Sequence, residues 1–144
     1  MTDLERAIIL AMDAHKGQTD RSGRPYILHP LRVMFAMETD EERIVAVLHD
    51  AVEDSDTVGL GDVLALFGDD AWAAVDSVTR RDGEDYSAYL GRAAMNTTGR
   101  KVKLADLRDN MDPSRAAGLT DKLRSRYNGA LALLSLPLGD PPND

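Results

Sequence analysis

Residues 41–54 read EERIVAVLHDAVED. Ile44, Val45, Val47, Leu48, Ala51 and Val52 recur at helical spacing and form a broad apolar face, so the stretch predicts a buried helix capped by Asp40 and ending near Ser55. Its polar end holds His49, Asp50, Glu53 and Asp54 in an HDxxED cluster. On one continuous helix His49 and Glu53 lie four residues apart, as do Asp50 and Asp54, so the carboxylates stack and repel unless a cation or a shared proton compensates. A divalent metal answers that repulsion. The plain alternative is a solvated acidic helix end beside a packed histidine, which opposes the helix dipole.

Outward from this segment the chain stays helical. A first helix is expected over about Asp3–His15 with Asp3 as cap, followed by the loop KGQTDRSGRP at 16–25 and a helix starting near His29, where Pro30 suits the first turn. Further helices are expected over Leu60–Phe67, stopped by Gly68, and over Asp70–Thr79 with Trp72, Val75 and Val78 inward. After the turn RRDGED come helices over Tyr86–Met95, Gly99–Asn110 and Thr120–Leu134, with Pro113 and Gly118 between the last two. Strand-like alternation and internal repeats are absent. The expected fold is all-α, a single-domain irregular helical bundle over residues 1–136 with a frayed tail at 137–144. His15 reads as a helix cap or packing residue rather than a metal ligand, and Trp72, Tyr86 and Tyr89 read as packing residues.

Composition narrows the function classes. The 144 residues contain 17 Lys and Arg against 25 Asp and Glu, a net charge of −8 that disfavours nucleic acid and anionic membrane as partners. Cysteine is absent, which excludes disulfides, thiolate metal sites and a cysteine nucleophile. No apolar run approaches the roughly 18 residues of a membrane span, and the acidic start MTDLERAII does not resemble a targeting peptide. A soluble cytoplasmic protein is expected.

Beside the HDxxED cluster, His29 precedes Pro30 at a helix start, and KLADLRDN at 103–110 places Asp106 one turn before Asn110. Two imidazoles and two carboxylates form a mixed nitrogen and oxygen set, suited to manganese, iron or zinc and unsuited to copper(I) or an iron–sulfur cluster. An open site of this kind leaves room for water and a phosphate oxygen.

The segments AHKGQTDRSGRPYILHPLRV (14–33), AVLHDAVEDSD (46–56) and KVKLADLRDN (101–110), followed by RYNGAL (126–131), occur in an order and spacing that resembles a known family. It is that of the HD-domain phosphohydrolases of the RelA/SpoT type, specifically the small stand-alone alarmone hydrolases that include metazoan SpoT homologues; the similarity covers residues 4–134. The resemblance implies that His29, His49, Asp50 and Asp106 ligate a divalent metal, usually Mn2+, and that Glu53 and Asp54 orient or activate the attacking water. It places Arg21, Ser22 and Tyr26 where the family contacts nucleotide and phosphates, and Asn110 where it holds substrate near the metal. The implied reaction removes pyrophosphate from the ribose 3′ position of guanosine tetra- or pentaphosphate, with a small nucleotide as partner.

So anionic a substrate calls for local positive charge. Residues 96–128 carry eight Lys and Arg against four Asp, and of these Lys103, together with Arg21, is expected to approach the substrate. One departure stands out: where the long bifunctional enzymes commonly have a basic residue before Arg21, this chain has Asp20. An acid there weakens attraction to base or phosphate, which keeps open a hydrolase of another phosphorylated nucleotide, such as an adenosine alarmone or a phosphorylated dinucleotide. A non-catalytic metal-binding nucleotide sensor is a further alternative, disfavoured by the intact HDxxED. At this length no synthetase domain is expected.

Overall fold

Thr39 and Glu42 start the central helix by bonding each other's backbone N–H groups, a capping box repeated at the N-terminus by Thr2 and Glu5. The computed structural model describes residues 1–115 and 118–137. Among these it has nine helices: α1 (Asp3–Ala14), α2 (Leu28–Phe35), α3 (Asp40–Leu48), α4 (Ala51–Asp54), α5 (Leu60–Phe67), α6 (Asp69–Ser77), α7 (Tyr86–Met95), α8 (Thr97–Asn110) and α9 (Asp121–Ser135). The β structure among the described residues is one isolated bridge, Thr19 to Pro25, inside the loop after α1. The all-α expectation holds. The expected tail falls almost wholly outside the described residues, which stop at 137.

Asp3 and Asp40, expected as caps, instead occupy the first turns of α1 and α3. The threonine before each takes the extended backbone that a cap needs, while the aspartates pair with Arg6 and Arg43 and favour the positive helix end.

Residues 41–54 form two helices rather than one. A continuing α-helix would give the Ala46 carbonyl to the Asp50 N–H; instead His49 takes it, through its Nδ1 at 2.6 Å and its own N–H at 3.4 Å. The chain turns at Asp50 (φ −104°, ψ −5°) and α4 restarts. Consequently His49, Asp50, Glu53 and Asp54 are not stacked along one continuous helix. The second departure is Trp72, which is 38% exposed although expected inward: Ala74, Val75 and Ser77 form the buried face of α6, and the large indole stays at the rim.

Packing centres on α3, whose residues from Ile44 to Leu48 are all buried and which touches α1, α2, α6 and α8. Each fully buried aliphatic side chain of this kind contributes about 1.5–3 kcal/mol. A smaller cluster, Leu90, Leu107, Ala130 and Leu134, joins α7, α8 and α9. Helix α8 serves both, with Val102 in the main core and Leu107 in the smaller one.

Helices α6 and α8 approach closely at Gly99, where an added Cβ would stand 2.0 Å from Ser77 Oγ and 3.3 Å from Ser77 Cβ. The Ser77 hydroxyl donates to the Ala74 carbonyl at 2.6 Å and cannot swing aside without losing that bond. Gly99→Ala should therefore destabilise by about 1–3 kcal/mol, outweighing a helix-propensity gain of about 1 kcal/mol. Gly129→Ala in α9, where a Cβ meets nothing within 4 Å, should stabilise by up to about 1 kcal/mol. Urea denaturation of the two variants reads both signs.

Candidate active site

His29 enters from the first turn of α2, His49 and Asp50 from the break between α3 and α4, and Asp106 from α8. His29 Nε2 lies 2.8 Å from Asp106 Oδ1 and 3.6 Å from Asp50 Oδ2, and His49 Nε2 lies 3.0 Å from Asp50 Oδ2 and 3.3 Å from Asp106 Oδ1. One donor atom from each of the four residues falls within 4.8 Å of all the others. Both imidazoles and Asp106 are buried.

The groups behind each ring decide what faces this centre. The Ala46 carbonyl, 2.6 Å from His49 Nδ1, can only accept, so Nδ1 carries a hydrogen and the neutral ring turns the Nε2 lone pair toward two carboxylates. Asp109 Oδ2 plays the same part for His29 Nδ1 at 2.6 Å. Asp109 is itself gripped by Arg32 Nε at 2.9 Å and Arg115 Nη1 at 2.6 Å. Lys103 Nζ donates to Asp106 Oδ2 at 2.9 Å, leaving Oδ1 for the centre, and the Tyr26 hydroxyl donates to Asp50 Oδ2 at 2.5 Å. Lone pairs thus converge on one point, and positive charge between them is the physical remedy. Neighbouring ligands about 2.1 Å from one octahedral ion stand about 3 Å apart, which the observed 2.8–3.6 Å brackets. The donor chemistry and spacing fit a divalent cation.

The local charges agree. Burial alone would lower both imidazole pKa values, but hydrogen bonds to Asp106 and Asp109 raise His29, and Asp50 and Asp106 raise His49 well above its ordinary 6.5. Burial would raise the carboxyls, yet Lys103 and the imidazoles hold Asp106 well below the usual range, His49 brings Asp50 to about 2, and bonds to His29 and Arg32 bring Asp109 to about 2. Glu53 and Asp54 move the other way, raised first by burial and then by neighbouring carboxylates, although Glu53 accepts from the Arg80 backbone N–H.

A cavity of about 270 Å³ opens onto the cluster, bringing Asp50, Glu53, Asp54, Lys103, Asp106 and Asn110 to one space. A second, of about 240 Å³, is lined by Arg21, Ser22, Asp20 and Arg115, and the two share Tyr26, Asn110 and Tyr127. Asn110 bridges them, donating to Asp106 Oδ1 at 3.2 Å and accepting from Arg115 at 3.2 Å. Asp20 is turned into its own loop: Oδ1 accepts from the N–H groups of Ser22 and Arg24, and Oδ2 faces Arg115 Nη2 at 3.7 Å.

Several site residues escape the sequence pattern. Tyr86 and Tyr89, read as packing, line the larger cavity, with the Arg126 guanidinium 3.7 Å from the Tyr86 ring centroid and Lys103 Nζ 5.2 Å from that of Tyr89. Arg80 and Arg92, close in sequence, also face these rings at 5.4 and 6.0 Å, while Lys103 and Arg126 arrive from α8 and α9. Arg80, Arg115 and Tyr127 were equally invisible as wall residues, and nothing in the local sequence marks Asp109 as the partner of the His29 ring.

A helical domain that draws two histidines and two aspartates from three separated segments into one buried cluster, one pair adjacent as His-Asp, defines the HD class. No family model matches the chain. It is 38% identical over 110 residues to the guanosine-3′,5′-bis(diphosphate) 3′-pyrophosphohydrolase of Vibrio cholerae, a match covering 74% of this chain and 15% of that protein. It is 38% identical over 113 residues to the GTP pyrophosphokinase of Streptomyces coelicolor (76% and 13%) and 32% identical over 123 residues to the bifunctional (p)ppGpp synthase/hydrolase SpoT of Escherichia coli (75% and 17%). The chain spans less than a fifth of the length of these relatives. A solved structure described as a metazoan orthologue of SpoT that hydrolyses ppGpp superposes with a TM-score of 0.76 at 25% identity, covering 93% of this chain and 84% of that one. The chain belongs to the RelA/SpoT-type HD-domain family. No helix among the described residues is long and apolar enough to cross a membrane.

Two measurements probe the centre. Without divalent metal, the stability contributed by His29 and His49 is fully present below their ordinary value of 6.5 and is lost as pH rises through their raised values. A dication needs both rings neutral and so binds better over the same interval. Thermal unfolding from about pH 6 to about pH 9 should show this loss in chelator, with the metal-induced rise in Tm growing with pH. A rise independent of pH would contradict the assignment. Asp109→Ala, which frees the back of the His29 ring, should lower metal affinity about 10–100-fold in a chelator competition assay.

Proposed function

We propose that this domain is a metal-dependent hydrolase that removes the 3′-pyrophosphate of guanosine tetra- or pentaphosphate, giving GDP or GTP and pyrophosphate. The observation that carries this is that Asp50 and Asp106 of the buried His29–His49–Asp50–Asp106 cluster line one cavity together with the carboxyls of Glu53 and Asp54 and the cations Lys103 and Arg126. The named activities of the relatives and of the superposing SpoT orthologue support the choice of substrate. Residues 1–136 carry the activity, manganese is the ion, and the domain works in the cytoplasm on a free nucleotide, with neither nucleic acid nor membrane as partner.

The four donors would hold the ion, which supplies Lewis acidity to a water and to a phosphoryl oxygen. Glu53 and Asp54, whose carboxyl pKa values burial raises, are suited to take the proton of the attacking water. As the water oxygen bonds to phosphorus the bond from phosphorus to the ribose 3′ oxygen breaks, and that oxygen takes a proton. Lys103 stays charged: burial lowers its pKa but Asp106 and Tyr89 raise it further. With Arg126 it offsets the charge growing on pyrophosphate. Tyr26 and Asn110, shared by both cavities, orient the nucleotide between the reacting phosphorus and the space beside Arg21 and Ser22. The acid at position 20, with one oxygen spent on its own turn and the other opposite Arg115, does not stand free against a nucleotide.

Glu53→Gln should reduce turnover of guanosine tetraphosphate by about 100-fold or more while metal content stays at the wild-type level. Retained turnover would remove Glu53 from the proton step. A panel of guanosine tetraphosphate, its adenosine counterpart and phosphorylated dinucleotides should show the guanosine compound cleaved fastest by the manganese-loaded protein; equal or slower cleavage would overturn the choice of substrate.

A further inference from the structure

The loop after α1 carries polar side chains that the chemistry above leaves unused. His15 closes α1 and is 2% exposed, and its Nδ1 lies 2.9 Å from Gln18 Oε1. The Gln18 amide nitrogen donates to the Ala14 carbonyl at 3.2 Å and to the Asp54 carbonyl at 2.8 Å. Carbonyls only accept, so the orientation of the amide follows: nitrogen toward Ala14 and Asp54, oxygen toward His15. His15 Nδ1 therefore carries the hydrogen. The other ring nitrogen, Nε2, is buried and has no hydrogen-bond partner, a cost that goes with the ring orientation Gln18 requires.

The far end of this chain of bonds is where the proton step is assigned. Helix α4 has four residues, too few to hold itself, and its last carbonyls have no partners within the helix. Gln18 supplies one for Asp54, while the Arg80 N–H holds the Glu53 side chain. The His15 ring also lies 5.0 Å from the ring of Tyr26, whose hydroxyl holds Asp50. The end of α1 is thus tied both to the acidic pair and to the wall of the metal cluster.

We propose that His15 and Gln18 form a latch that fixes the Glu53–Asp54 end of α4 against the metal cluster, Gln18 being the positioning residue and His15 the group that sets its orientation. This rests on the assignment of Glu53 and Asp54 to the proton step. Gln18→Leu removes both donated bonds at nearly constant volume. In the metal-saturated protein it should lower kcat for guanosine tetraphosphate about 100-fold, the cost of a misplacement of about 1 Å, with KM and metal content unchanged. Amide hydrogen exchange across residues 51–56 should accelerate in the same variant. His15→Asn, whose amide N–H can stand where Nδ1 stands, should keep the wild-type kcat, whereas His15→Phe should behave like Gln18→Leu.

Unchanged exchange over 51–56 in Gln18→Leu overturns the latch, as does a wild-type kcat in that variant when Glu53→Gln is inactive. An asparagine at position 15 that fails like phenylalanine removes His15 from it. A wild-type protein that binds metal but cleaves none of the nucleotides overturns the functional assignment instead, and the exchange measurement then decides the latch independently.

Discussion

Four electron-rich atoms aimed at one point inside a protein cannot be left to repel one another. His29 and His49 each have an acceptor at the back of the ring, the Asp109 carboxylate and the Ala46 carbonyl, which turns the opposite nitrogen toward Asp50 and Asp106. The backing is as built as the front: Lys103 takes the spare oxygen of Asp106, and Arg32 and Arg115 hold Asp109. Such support is what lets a site choose a lone pair over a proton and hold a cation in defined geometry.

The same demand shapes the backbone. His49 uses the Ala46 carbonyl to set its ring, and that carbonyl is then lost to the helix, so α3 stops where the cluster begins. What the sequence presents as one amphipathic helix is interrupted by the chemistry of its most informative residue. The interruption turns Glu53 and Asp54 onto a separate short helix beside the cavity.

Much of this was legible beforehand, for identifiable reasons. Helices over 60–67 and 86–95 match their expected bounds because Gly68 and the turn at 80–85 punctuate strong periodicity. The four donor residues were legible through the order and spacing of the three segments that resemble the HD family; the HDxxED cluster alone left a solvated helix end as its alternative. What stayed hidden depends on neighbours remote in sequence. Arg126 reaches Tyr86 from 40 positions away and Asp109 reaches His29 from 80, so the sequence around Tyr86 or His29 contains no trace of these partners. Caps were displaced by one residue because threonine and aspartate compete for adjacent positions and only the backbone decides between them. The acid at position 20 looked like a flaw in a nucleotide pocket; in three dimensions it builds a turn and answers an arginine.

Helix α8 belongs to both hydrophobic clusters, and this divides the cavity walls by allegiance. The donors stand on elements of the main core and on α8 itself, whereas Tyr86 and Tyr127 pack with the smaller cluster of α7 and α9. The rim and the cage therefore draw on different sets of packing contacts, so a substitution that loosens the smaller cluster bears first on the entrance, and one that loosens the main core bears first on the donors.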